Sequence, residues 1–87
     1  MTGLEYLKKT EKKRLDELFH FLAFASVSAK SEHKKDMVAC AQWLTGHLGK
    51  IGFKAKTCAT GGHPVVYGEY FAGKDRPTVL YYGHYDV

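Results

Sequence analysis

The hydrophobic period of the chain changes near residue 53, and this change constrains the fold more than any other feature of the sequence. Before it, apolar residues recur every three or four positions, which is typical of amphipathic helices. After it, Phe53, Ala55 and Thr57 alternate with two lysines and a cysteine, which indicates a strand with one solvent-exposed face. Helices followed by strands predict an α/β fold in which two amino-terminal helices pack on a mixed sheet.

The helical half contains two apolar stripes separated by a small polar connection, Ser26 to Ser31. The first predicts one helix from Leu4 to about Ala25, with its end more buried than its start because Phe21 and Phe24 widen the stripe there. The second predicts a helix that Ser31 caps and Gly52 terminates. The second stripe consists of Met37, Ala41, Leu44, Leu48 and Ile51.

The carboxyl-terminal half predicts three strands. A turn at Thr60 to Pro64 follows the first strand, and Val65 to Phe71 then returns as the second strand of a hairpin. After another loop, Thr78 to Tyr82 is apolar, β-branched or aromatic throughout, which is typical of a strand covered on both faces. Since two helices and two strands offer little cover, we expect the sequence to be part of something longer.

The charge pattern argues against a nucleic-acid partner. The chain has 87 residues and a net charge of +4, but acids are interleaved with the bases of the first helix at helical spacing, as in Glu5 and Lys9 or Lys13 and Glu17. A solvated helix face explains this pattern better than a binding surface. A domain this short also builds only a thin core, because it buries about 60–65% of the surface its unfolded chain exposes.

Other features bear on location. The longest apolar run, Phe21 to Ala25, is five residues, well short of the roughly 20 that span a bilayer, so no membrane partner is expected. No secretory signal is evident, and the sequence predicts a cytoplasmic protein. Cys40 and Cys58 lack metal-binding spacing, and we expect both to be reduced, with a disulfide as the lesser alternative.

His84 and Asp86 form the one constellation that suggests chemistry. They follow the predicted buried strand two residues apart, so an extended chain would point both side chains to the same side. An imidazole can bind a metal through one nitrogen while a carboxylate fixes its orientation, and ligands bind at strand ends in open α/β sheets. The motif alone is a weak signal, because a histidine, one residue and an aspartate often occur by chance, and a structural histidine hydrogen-bonded near a strand end explains it better. The other four histidines are more typical of surface residues.

The segment Thr78 to Val87 closely resembles the first metal-site motif of the zinc exopeptidase family of aminoacylase, carnosine dipeptidase and succinyl-diaminopimelate desuccinylase. Phe24 to Ser28 resembles the family's segment after its first helix, although Ala25 stands where proline is common. Ala41 to Leu44 with Lys50 to Phe53 resembles its second helix and the following strand. Gly61 to Gly68 resembles the dipeptidase branch, as does Tyr85 between the histidine and the aspartate. The resemblance extends from Leu15 onward.

The resemblance implies that His84 is a metal ligand and that Asp86 is the catalytic carboxylate that orients it. It implies two zinc ions per intact subunit, with manganese or cobalt as alternatives, a three-layer hydrolase-like domain, and a homodimer as one assembly of the intact enzyme. Hydrolysis of dipeptides or N-acyl amino acids by metal-activated water is the implied reaction. Residues 1–87 would be the amino-terminal part of a single metallopeptidase domain.

Two further expectations follow. The family's other metal ligands and its glutamate base lie beyond the counterpart of Val87, so the 87-residue chain alone should be inactive, since one imidazole cannot build a catalytic zinc site. The alternative from another class is a complete non-catalytic α/β module that pairs through its last strand, Val79 to Tyr82, with a partner chain.

Overall fold

The computed structural model describes residues 1–87, and the first half of the chain is helical. Helices α1 and α2 follow each other closely, and a short 3₁₀ turn precedes the longest helix, α3. The bounds are Gly3–Lys9 for α1, Glu11–Leu22 for α2, Ser31–His33 for the 3₁₀ turn and Lys34–Lys50 for α3. No helix is both long enough and apolar enough to cross a membrane.

The prediction of one helix from Leu4 to Ala25 is wrong, because the helix breaks at Thr10. This residue has φ −104° and ψ 13°, outside helical values, and its hydroxyl donates to the Tyr6 carbonyl at 2.7 Å. The Tyr6 carbonyl also accepts the Thr10 N–H at 3.0 Å, and a threonine that bonds back one turn in this way often bends a helix. The Arg14 guanidinium donates to the Leu7 carbonyl and spans the break.

Helix α3 confirms the second predicted helix and supplies most of the core. Met37, Cys40 and Ala41 are buried, while Ile51 at the end of the stripe is exposed. Gly52 has φ 102°, a conformation that favours glycine, and it follows the helix as predicted. The predicted cap is wrong: Ser31 begins the 3₁₀ turn instead, and its side chain caps nothing.

The predicted hairpin is confirmed as an antiparallel pair that packs on α3. Strand β1 runs over Lys54–Cys58 and β2 over Val65–Glu69, with Ala55 opposite Gly68. Gly68 approaches α3 so closely that a Cβ there would lie 3.1 Å from Leu48 Cδ1. The sheet has only these two strands, so it is antiparallel rather than mixed. A small domain of helices and a two-stranded sheet agrees with a general α/β class.

The run from Thr78 to Tyr82 departs from the prediction of a strand covered on both faces. It forms no hydrogen-bonded strand, and Leu80, Tyr81 and Tyr82 are 91%, 89% and 93% exposed. The described residues supply no third strand beside it. The chain makes its backbone contact after this run, where the N–H of the last residue, Val87, donates to the Ser26 carbonyl at 2.8 Å.

The core is thin, as the length predicts. Ser26 is the only buried residue besides the three core positions of α3. Helices α1 and α2 bury no residue completely; Phe21 and Phe24 are half-buried near the end of the stripe, whereas Leu4 and Leu7 at its start are exposed. The expected gradient of burial is present only in part, because Phe19 and Leu22 near the end of the stripe are still 61% and 57% exposed. Both cysteines are free thiols, as expected.

Candidate functional site

Three segments that are distant in sequence meet at the carboxyl end of the chain. They are the α2–α3 connection with Ser26 and Ser28, the β1–β2 loop with His63, and the last residues, His84 to Val87. Ser26 is buried, and its hydroxyl donates to the Tyr85 carbonyl at 3.1 Å. Because a backbone bond from Val87 also reaches Ser26, these contacts fix the path of the chain through His84 and Asp86.

His84 and Asp86 are brought together as their spacing suggests. His84 Nδ1 lies 2.8 Å from Asp86 Oδ1, and the second carboxylate oxygen, Oδ2, accepts a hydrogen bond from the Ser28 hydroxyl at 2.5 Å. The bonds from Ser28 and then from His84 lower the pKa of Asp86 below its usual range. The carboxylate is therefore an acceptor, so Nδ1 carries the proton that is donated to it.

In a neutral imidazole, a proton on Nδ1 leaves the lone pair of His84 on Nε2. The His84 side chain is 77% exposed, so Nε2 is open to a ligand. A metal-binding histidine commonly donates its other ring N–H to a carboxylate, which fixes the tautomer and raises the basicity of the ligand nitrogen. The pair fits one metal ligand with its orienting carboxylate.

The neighbouring histidine is held in a different way. His63 Nε2 lies 2.9 Å from the Ser28 carbonyl, to which it donates a hydrogen bond. The same loop is tied to Tyr85, whose hydroxyl donates to the Pro64 carbonyl at 2.5 Å. Partial burial raises the pKa of Tyr85. His63 therefore supports the Ser28 backbone and is not available through Nε2 as a second ligand.

A cleft of about 740 Å³ lies beside the pair. Ser28, His63, His84 and Asp86 contribute its polar wall. The rest of its lining is mostly apolar and comes from α2, α3, β2 and the final run, including Phe21, Met37, Leu44, Val66 and Tyr82. Such a cleft, apolar with a few convergent polar groups, has the general character of a small-molecule site.

No group of three or more histidine, cysteine, aspartate or glutamate side chains is close enough to hold a metal ion. The residues present fit one ligand and its support, whereas a catalytic zinc site needs about three protein ligands. Cys40 offers no substitute nucleophile or ligand, because it is fully buried and burial raises the pKa of its thiol.

Sequence reasoning found His84 and Asp86 but missed the role of Ser28. The hydroxyl lies 58 positions from the carboxylate it contacts, so no local spacing reveals the pair. The only sequence signal was indirect, because the segments around Ser28 and His63 are both among those on which the expected resemblance depends. No family model, curated protein or solved structure matches this chain.

Proposed function

We propose that this chain is the amino-terminal part of the catalytic domain of a di-zinc exopeptidase that hydrolyses dipeptides or N-acyl amino acids. One observation carries the proposal: Asp86 holds His84 through Nδ1 at 2.8 Å and leaves Nε2 free at the edge of an apolar cleft. A metal-binding histidine commonly has this geometry, with its other ring nitrogen donating to a carboxylate. The resemblance of the surrounding segments to the zinc exopeptidase family supports the same assignment.

The two residues have separate roles in this proposal. His84 binds one metal ion through Nε2, and Asp86 orients the imidazole and keeps its tautomer fixed. Ser28 is a positioning residue, because its hydroxyl holds the carboxylate from the side opposite the ring. A bound metal pair supplies Lewis-acid polarisation of the scissile carbonyl and lowers the pKa of water. Zinc is the metal proposed, with manganese or cobalt as alternatives.

The missing ligands belong, in this proposal, to further residues of the same domain. The exposed apolar run Thr78 to Tyr82 and the outer edge of β2 are both without a strand partner. Unpaired strand edges and large apolar patches are normally covered. Additional strands there would complete a three-layer domain and bring carboxylates to His84. The two free cysteines agree with the cytoplasmic location that we propose. The assembly that we propose for the intact enzyme is a homodimer.

The alternative function is a non-catalytic module that pairs through Val79 to Tyr82 with a partner chain. The exposure of Leu80, Tyr81 and Tyr82, at or near nine-tenths, favours an interaction at this run. The alternative gives no role to the free Nε2 of His84. The two proposals differ in metal content, since only the first requires a bound metal.

The test uses the complete coding frame that contains this chain, expressed with zinc. We expect dipeptide hydrolysis that needs zinc. His84→Ala should lower activity by more than the roughly 10- to 100-fold typical of losing a residue that only hydrogen-bonds a metal ligand. His33→Ala is the matched control, because His33 also pairs with an aspartate, Asp36, at 2.8 Å but lies outside the cleft. Full activity and zinc content in the His84→Ala protein would reject the proposal.

A further inference from the structure

The final run, Thr78 to Tyr82, and the outer edge of β2 border the same cleft. Val65 and Val66 of β2 line it, and so do Tyr81 and Tyr82 of the final run. Strand β2 pairs only with β1, and no residue of the final run makes a backbone hydrogen bond. Two backbone segments without a partner on this side therefore border one mostly apolar cavity.

Both ends of the final run are held close to β2. At its start, residues 70–77 connect it to the end of β2, and within this connection the Arg76 N–H donates to the Gly73 carbonyl at 3.3 Å. Such a bond closes a β-turn, which reverses the chain. Just beyond the run, the Tyr85 hydroxyl donates to the carbonyl of Pro64, the residue before β2. This path favours an antiparallel return of the final run along β2.

The two segments also match in length and in side-chain pattern. Strand β2 has five residues, and the final run has the same length. In the antiparallel register that pairs them end to end, Val66 lies opposite Tyr81, and opposite residues share one face of a sheet. Gly68 is on the same face as Val66, and a Cβ there would lie 3.1 Å from Leu48 Cδ1 of α3. Tyr81 would therefore point toward α3, into the cleft.

The part of the cleft that Tyr81 would enter is apolar. Phe21 of α2 and Met37 and Leu44 of α3 line it. The Tyr81 side chain is 89% exposed in the open arrangement, so its transfer to this wall removes apolar surface from water. The cleft thus provides an apolar contact surface for the ring, and the free edge of β2 provides backbone partners for the run.

We propose that the final run closes onto the outer edge of β2 as a third, antiparallel strand, with the Tyr81 ring in the apolar part of the cleft. Backbone hydrogen bonds and burial of the ring drive closure against the cost of ordering the connection. The bonds that hold His84 to Val87 on Ser26 lie beyond the run and are retained. Closure is independent of the proposed peptidase activity, and it leaves the other edge of the run free for further strands.

Amide hydrogen exchange of the 87-residue chain, measured by NMR, tests closure. In the open arrangement no amide from Thr78 to Tyr82 donates a hydrogen bond, so each would exchange at its intrinsic rate. We expect alternate amides of the run to be slowed by about tenfold or more, because every second N–H of an antiparallel edge strand points to its partner. A nuclear Overhauser effect between the backbones of Val66 and Tyr81 should accompany this protection.

The protection should be the same at two protein concentrations, because closure occurs within one chain. Exchange of every amide of the run at its intrinsic rate would overturn the proposal. Protection that appears only at the higher concentration would overturn it too, since the run would then pair between chains.

A matched pair of variants separates the two faces of the run. The side chains of Tyr81 and Tyr82 are 89% and 93% exposed in the open arrangement, so an aspartate at either position would there have a similar, small effect. With closure, Tyr81→Asp places a charge in the apolar cleft and should raise the unfolding constant in urea by roughly tenfold or more. Tyr82→Asp lies on the outward face and should raise it by less than about threefold. Equal effects would contradict the proposal, and the exchange of the wild-type chain decides if Tyr81→Asp fails to fold.

Discussion

At the scale of single residues, contacts from distant parts of the sequence determine the geometry of the short motif His84 to Asp86. The spacing of His84 and Asp86 predicts that they share a side, and the structure joins them at 2.8 Å. The spacing cannot predict that the Ser28 hydroxyl donates a hydrogen bond to the other carboxylate oxygen of Asp86. Together the two bonds hold the pKa of Asp86 low and leave Nε2 of His84 as the free nitrogen.

The first prediction concerns the hydrogen bond from Ser28 to Asp86. Ser28→Ala removes the largest of the causes that lower the pKa of Asp86, so that pKa should rise toward its ordinary value. Carboxyl-carbon NMR titration of Asp86 measures this directly. Ser31→Ala is the matched control, since Ser31 makes no side-chain contact with the site. A pKa of Asp86 that is the same in Ser28→Ala and in the wild type would show that the hydroxyl does not act on the carboxylate.

The same shift fixes the sign of a pH effect on stability. A carboxyl group whose folded pKa is depressed stabilises the fold fully above its unfolded pKa, about 3.9 for aspartate, and this contribution is lost as the pH falls through the lower folded pKa. We therefore expect acid unfolding of Ser28→Ala to depend less on pH in this window than that of the wild type. Denaturant unfolding between about pH 2 and pH 5 measures the difference.

At the scale of elements, hydrophobic periods that recur several times predicted the helices and strands correctly. A run whose structure depends on a partner strand was not predicted correctly. Helix α3 and the β1–β2 hairpin follow from periodicity, because each buries one face against the other. The break at Thr10 came from a single side chain bonding its own helix, which an apolar stripe does not report. The strand expected at Thr78 to Tyr82 needs a partner strand, and a local pattern cannot provide one.

The packing of the hairpin on α3 gives a prediction at this scale. A Cβ at Gly68 would lie 3.1 Å from Leu48 Cδ1, so the branched side chain of Gly68→Val should force the hairpin away from α3 and destabilise the fold by about 1–3 kcal/mol.

Gly46→Ala should stabilise the fold. A Cβ at Gly46 meets nothing within 4 Å, and alanine in a helix interior is worth about 1 kcal/mol over glycine.

Urea unfolding of the two glycine variants and the wild type, monitored by far-ultraviolet circular dichroism, compares their free energies. Equal stability of Gly68→Val and the wild type would mean that the hairpin does not rest on Leu48 as described. A loss of stability in Gly46→Ala would contradict the open space found around that position.

At the scale of the whole molecule, four buried residues make a thin core for 87 residues, while an apolar run lies almost fully exposed. The cleft beside His84 contains the proposed metal ligand and the carboxylate that supports it, but no second ligand. Both observations agree with the larger catalytic domain that we propose, in which further strands would cover Thr78 to Tyr82 and further carboxylates would complete the site. The rival module explains the exposed run but not the prepared histidine.

The most direct test of this account is a native mass spectrum of the protein purified from its source without chelators, which reads chain mass and bound metal together. The account predicts a chain several times heavier than 9.8 kDa that carries two metal ions per subunit, and His84→Ala should remove metal from it. A metal-free species near 9.8 kDa, or a small multiple of it, would contradict the peptidase assignment and favour pairing through the exposed run.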